Sequence, residues 1–258
     1  KKRLKAGLAK GFESYEGHPN TLRLSGARYY DWFRNATRSL VLQSGLRFLK
    51  FDGIGVGLGA TGAGRFAADV DWLLYLAADL RTETPQLRLS VSTGSWPSPF
   101  WLTAVDAVWR GGPDLGREGA GSPPQQWITF RDAMVHQWIV QRSPLFPLSS
   151  LALGGVVWSR AEEPGAYLRS YSLDDFACEV WSFFLAGTAW QELLVQPALL
   201  SAAHWDVLAN AANVSRQHTA TLRDAHWVGG NPGAGEVYGY ASYACTPCEG
   251  LLSWRNPR

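Results

Sequence analysis

The stretch Leu46-Arg-Phe-Leu-Lys-Phe-Asp52-Gly53 starts apolar and ends on charge. Its opening residues have the water-avoiding character of a strand inside a sheet, and Gly53 breaks the run. Lys50 and Asp52 fit such a run only where the strand leaves the core. In parallel α/β proteins that carboxyl edge is where active sites are assembled. Asp52 is therefore the first candidate for a catalytic carboxylate.

Working outward, turn signals cluster in Glu16-Gly-His-Pro-Asn20, and helical spacing then runs from Arg28 to about Gln43. Tyr29, Trp32, Phe33, Ala36 and Leu40 share one face of that helix, with Gly45 placed to cap its C-terminus. After Asp52 comes a glycine-rich loop, Gly53 to Gly64, then a second helix from about Arg65 to Leu80 and a second strand, Leu87-Arg-Leu-Ser-Val-Ser-Thr93. A strand–loop–helix–strand order implies a right-handed crossover and parallel strands. The order repeats: strands at Ala107–Gly112, Leu151–Trp158 and Trp190–Val195, helices at about 125–141, 174–186 and 204–221. The end changes character, with Glu236–Tyr243 and Gly250–Arg255 alternating like two antiparallel strands.

About five βα units fall short of the eight in a closed barrel. The fold class expected is α/β: a TIM-type (β/α)8 barrel, incomplete at its N-terminus, over residues 1–222, followed by the start of a C-terminal antiparallel β domain over residues 223–258. As cut, such a chain leaves sheet edges open and is expected to be poorly soluble or inactive.

The 258 residues, 46% of them hydrophobic, are enough for a sizeable core. A net charge of +2 with scattered basic residues argues against nucleic acid as a partner. No apolar run reaches membrane-span length, which argues against a membrane-embedded chain. Thirteen tryptophans are an excess that packing explains in part and that stacking on sugar rings would explain further. Cys245-Thr-Pro-Cys248 has redox or half-zinc-site spacing; a turn between strands, with room for a local disulfide, is the simpler reading. The chain opens Lys-Lys-Arg-Leu-Lys with neither methionine nor signal peptide, which leaves the compartment open, a secreted or periplasmic one included. Oligomeric state is equally illegible.

The loops restrict the chemistry. Gly57-Leu-Gly59-Ala-Thr-Gly62 satisfies GxGxxG between a strand and a helix, the context of a dinucleotide site. Yet the strand ends at Asp52, five residues early, and the next one ends in Ser92-Thr93-Gly94 with no acid to hold a ribose. A nucleotide-dependent oxidoreductase is the weaker alternative. No GxSxG elbow is present, and the five histidines lack metal-ligand spacing, so no metal or cofactor is expected. Paired carboxylates remain. Asp114 follows the strand ending Trp109-Arg110-Gly111-Gly112, about two βα units after Asp52, so the two acids can flank one mouth. Such a pair suits glycoside cleavage, one acid attacking the anomeric carbon and the other protonating the leaving oxygen about 5–5.5 Å away. Lys50 would keep Asp52 ionised, and Arg110 would orient a carboxylate or a sugar hydroxyl. The plainer alternative gives Asp114 a loop-capping role and Asp106 and Asp132 unrelated ones.

Leu49-Lys-Phe-Asp52-Gly resembles the lysine–aromatic–aspartate segment on the fourth barrel strand of the α-galactosidase superfamily of retaining glycoside hydrolases. Ser92-Thr-Gly-Ser-Trp96-Pro is similar to that family's fifth-strand loop, which shapes the sugar pocket, and Trp109-Arg-Gly-Gly-Pro-Asp114 to its sixth-strand segment. Ser25-Gly-Ala-Arg-Tyr-Tyr, leading into the helix before strand four, fits the same layout. The resemblance implies that Asp52 is the nucleophile and Asp114 the acid/base, and that strands one to three lie upstream of Lys1. Lys50, Trp96, Arg110, Trp109 and Trp158 would hold an oligosaccharide or glycoconjugate substrate. Gly111-Gly112-Pro113 replaces the more acidic pattern usual at strand six, which points to a divergent branch. A non-catalytic carbohydrate-binding relative is the main alternative, and transglycosylation a variant of the hydrolytic reading.

Overall fold

Residues 2–16, 18–52, 67–92, 98–159, 172–246 and 248–258 are described in the computed structural model. Two units divide the chain, Lys1–Trp109 and Arg110–Arg258.

The first unit opens with α1 (Lys2–Ala9) and an antiparallel pair, β1 (Ser14–Tyr15) and β2 (His18–Leu22), whose reversal falls in the expected turn. Next comes α2 (Ala27–Ser44), buried at Tyr30, Thr37 and Val41 and ended by Gly45, whose φ of 64° is the left-handed conformation a C-cap requires. Then follow β3 (Phe48–Asp52), α3 (Ala67–Glu83), β4 (Arg88–Ser92), a 3-10 turn at Pro99–Thr103 and β5 (Ala107–Trp109). β3 pairs in parallel with β4, Asp52 opposite Ser92, and β4 pairs in parallel with β5, Ser90 opposite Ala107. The expected parallel pairing is thus present. Leu73, Leu76 and Ala77 of α3 and Leu89 and Val91 of β4 are fully buried.

Two carboxylates fasten this unit. Asp69, buried in the first turn of α3, accepts from the Leu24 and Ser25 amides at 3.1 and 2.8 Å, which ties the entry to α2 onto α3. Burial nonetheless pushes its carboxyl up, against the pull of those two amides. Asp106 accepts from the Leu89 amide at 2.8 Å and pairs with Arg81 and Arg88, fixing the start of β4. Its work is structural.

The second unit carries α4 (Pro123–Val135), which continues as a π-turn through His136–Val140 where one unbroken helix was expected. Ser122 caps it, followed by prolines in the first turn where no amide partner is missed. β6 (Leu151–Ala152) and β7 (Val156–Trp158) replace the single strand expected over 151–158. The break lies at Gly154, with φ 59°, and Gly155, where a Cβ would land on the Glu192 carbonyl. After α5 (Leu173–Phe184), β8 (Leu193–Val195) pairs in parallel with β7, a second crossover unit. α6 (Ala202–Gln217) and α7 (Thr219–Leu222) follow.

The chain closes on an antiparallel sheet in the order β11-β10-β9: β9 (Ala225–Gly229), β10 (Tyr238–Cys245) and β11 (Cys248–Arg255). β9 is absent from the two-strand reading; Ala225-His-Trp-Val-Gly229 is short and its alternation weak. Tyr238 and Tyr240 of β10 bury their hydroxyls against Asp132 of α4, donating at 2.7 and 3.3 Å. Arg131, wholly buried, pairs with the same carboxylate at 3.0 Å. Arg255 of β11 donates to the Gln125 carbonyl at 2.8 Å and to Thr129 Oγ1 at 2.6 Å. Among the described residues no helix is long and apolar enough to cross a membrane.

The observed class is α/β with parallel strands. The ladders β3-β4-β5 and β7-β8 have the connectivity of βα units, and closure into an eight-stranded ring is not part of what they show.

Candidate active site

Strand register places the first group of residues. Directly paired residues in a ladder share a face, and residues two apart on a strand share it too. Lys50 is opposite Ser90 and Asp52 opposite Ser92, while Ser90 is opposite Ala107, two residues before Trp109. Lys50, Asp52, Ser90, Ser92 and Trp109 therefore project from one face of the sheet. Phe51 projects from the other, where its ring lies 6.1 Å from that of Phe33 on α2. Asp52 thus sits at the carboxyl edge of β3, on the face turned away from α2, and it is exposed.

Lys50 Nζ lies 5.9 Å from the centre of the Trp109 indole, a cation–π contact that spans β4. Trp109 is only 8% exposed, so its ring is largely covered. Ser90 is 1% exposed, and its hydroxyl has no hydrogen-bond partner among the described residues. The sequence reading missed Ser90, although serine at alternate positions in Leu-Ser-Val-Ser92 marks a polar row on one face of an otherwise apolar strand. Trp96 and the Gly57–Gly62 motif lie outside the described residues.

Asp114 and Arg110 belong to the second unit. Arg110 was expected to reach out to a carboxylate or a sugar, and the structure turns it inward. It is fully buried, Nη1 donating to the Gly111 carbonyl at 2.6 Å and Nη2 to the Pro113 and Asp114 carbonyls at 2.9 and 3.1 Å. Burial lowers the guanidinium to about 9, with Asp114 pulling the other way, so it stays charged at neutral pH. A buried cation with several acceptors is a fastener; here it holds the backbone that presents Asp114, whose residue is exposed. Gly111 and Gly112 have φ of 86° and 72°. A Cβ on Gly112 would meet Met134 Sδ and Trp138 Nε1 at 2.8 Å, so the glycine pair answers to packing against α4.

Trp158 is also corrected from sugar platform to packing residue. It is 4% exposed and meets Phe176 edge-on, with centroids 4.9 Å apart, and His204 at 5.5 Å. Beside it, Glu179 of α5 is 1% exposed and accepts from the Val157 amide at 2.7 Å and from Trp127 Nε1 at 3.0 Å. Burial raises its carboxyl to about 7 despite those donors and the charge of Arg131. Among the described residues of the second unit, clefts of about 310 and 420 Å³ open, and neither of these is lined by Arg110, Asp114 or Trp158. Among the described residues no cluster of His, Cys, Asp and Glu is arranged to hold a metal ion.

Solved structures supply the comparison. A variant of the family 36 glycoside hydrolase α-galactosidase AgaA from Geobacillus stearothermophilus, in complex with 1-deoxygalactonojirimycin, superposes with a TM-score of 0.63 at 10% identity, over 93% of this chain and 32% of its own. The galactosidase domain of the α-galactosidase–sucrose kinase AgaSK gives 0.61 at 14% identity, over 90% and 29%. The α-galactosidase of Lactobacillus brevis gives 0.59 at 9% identity, over 91% and 30%. The chain shares the fold of these α-galactosidases. It spans about a third of their length. At such low identity the likeness is one of fold. No protein-family model and no curated protein matches the sequence.

Proposed function

We propose that this chain carries the catalytic carboxylates of a retaining glycoside hydrolase acting on α-linked sugars of galactoside type. One observation supports this most: Asp52 stands at the carboxyl edge of a parallel ladder, two residues after Lys50 and on the same face, with Trp109 beneath Lys50. A carboxylate there is exposed on the face opposite Phe51 and α2, which is where a sugar would enter. In the proposed reaction Asp52 attacks the anomeric carbon as the glycosidic bond breaks, and the Asp114 carboxyl gives its proton to the departing oxygen. The products are a glycosyl ester on Asp52 and the released alcohol. Asp114, now a carboxylate, takes a proton from water as that water attacks the ester, which frees the sugar with its starting configuration and restores both acids. Lys50, on the same face as Asp52, would hold the sugar, Trp109 supports Lys50, and Arg110 acts on Asp114 through the backbone it holds.

The reading is tested with an aryl α-galactoside. The first-formed sugar should be the α-anomer by proton NMR, and Asp52→Asn should lower kcat by about 10⁴-fold or more. A β-anomer as first product would replace the nucleophile by a water-activating base. Binding of a galactose-configured iminosugar without turnover of any α-glycoside would support the non-catalytic relative instead.

A further inference from the structure

The tip of the β10–β11 hairpin carries a pair of side chains that the glycosidase reading leaves unused. Cys245 and Cys248 are the last directly opposed residues of the antiparallel ladder. Both are exposed and both are free thiols. Opposed residues in an antiparallel pair have Cα atoms about 4.5 or 5.5 Å apart, and both spacings fall in the range a disulfide bridges, about 4.4–6.8 Å. The two side chains leave the sheet on the same face. Cys248 Sγ already approaches the Cys245 carbonyl oxygen at 3.2 Å, which brings it back across the turn. The remaining cysteine, Cys178, lies on α5 and is a built-in control.

We infer that Cys245 and Cys248 form a reversible dithiol–disulfide pair, closed by exchange with a small disulfide such as oxidised glutathione. The thiolate of one cysteine attacks the glutathione disulfide, giving a mixed disulfide and releasing one glutathione thiolate, which takes a proton from solvent. The second cysteine, as thiolate, then attacks the protein sulfur of that mixed disulfide. A second glutathione leaves, and an intramolecular S–S bond remains. Two protein thiols are oxidised and one glutathione disulfide is reduced to two thiols, so electrons and protons balance.

The bond would fix the register of β11, an edge strand of this sheet. A slip of one residue would turn Arg255 from α4 to the opposite face and break its bonds to Gln125 and Thr129. The neighbouring Glu249 pairs with His218 at 2.6 Å and accepts from Thr221 at 2.7 Å, so the clamp also bears on the side of the hairpin that docks on α7.

The test equilibrates the full 258-residue chain with excess oxidised glutathione, then alkylates it under denaturing conditions and weighs it. Peptide mapping should then show Cys245 and Cys248 joined, two hydrogens lighter and free of alkyl group and glutathione, where the reduced chain is alkylated at both; Cys178, exposed and without a resolving thiol, carries its glutathione as a stable adduct and is read separately. Cys245→Ser and Cys248→Ser should each instead accumulate a stable glutathione adduct on the surviving cysteine, because the resolving thiol is gone. Reduction of the closed form should lower the melting midpoint by about 4 °C, a shift the double serine variant should not show. Alkylated Cys245 and Cys248 after oxidation, or a persistent glutathione adduct on either of them in the unaltered chain, would overturn the inference.

Discussion

Asp52 and Glu179 are carboxylates whose surroundings give them opposite work. Asp52 is exposed at a strand end, while Glu179 sits in the apolar stripe of α5 between Phe176 and Phe183. The Glu179 carboxyl occupies a place that a neighbouring strand would otherwise fill, accepting the Val157 amide on β7. Burial raises its pKa from 4.5 to about 7, so the folded chain holds that proton more tightly than the unfolded one. Its contribution to stability is full below about 4.5 and fades as pH rises through about 7. The loss amounts to something on the order of 3 kcal/mol. Glu179→Gln keeps an oxygen for both donors and has no proton to lose. Thermal melts should show the variant equal to the parent at pH 4 and more stable at pH 8; parallel curves for the two proteins would remove Glu179 from the pH dependence.

Among the elements, β11 shows how far a single side chain can anchor a strand. Its alternate residues face solvent, including Leu252 and Trp254, while Arg255 reaches back to α4. Arg255→Ala should cost about 2 kcal/mol and expose the β10–β11 amides to hydrogen exchange while leaving those of β3-β4-β5 protected. Uniform loosening of both sheets would contradict that local role. The same elements show what the sequence could tell. Gly45 located the end of α2 because its left-handed cap is a local signal, but the face read from the spacing is not the buried one: Trp32 and Leu40 are exposed, and Tyr30, Thr37 and Val41 are buried. The run Leu151–Trp158 is apolar throughout, so periodicity gave no sign of the break at Gly154 and Gly155, which depends on the distant Glu192 carbonyl. Arg110 and Trp158 misled for the same reason. A side chain's type gives its chemistry, but whether it points to solvent is settled by partners far away in sequence, Phe176 and His204 in the case of Trp158.

For the whole molecule, the likeness to α-galactosidases at about a tenth of residues identical shows how little sequence a βα architecture needs to persist. Parallel ladders and buried helix stripes ask for apolar side chains of suitable volume, and many sequences supply them. Chemistry is more demanding, since a fold hosts many activities and a site is defined by its own residues. In this chain the weight falls on Asp52, and a covalent trap tests it most directly. The protein is incubated with a 2-deoxy-2-fluoro-α-galactosyl donor bearing a good leaving group, digested, and its peptides are weighed. The account predicts a fluorosugar ester on the peptide containing Asp52, absent from Asp52→Asn. An adduct on any other residue, or no adduct on a folded protein that hydrolyses the parent glycoside, would contradict it.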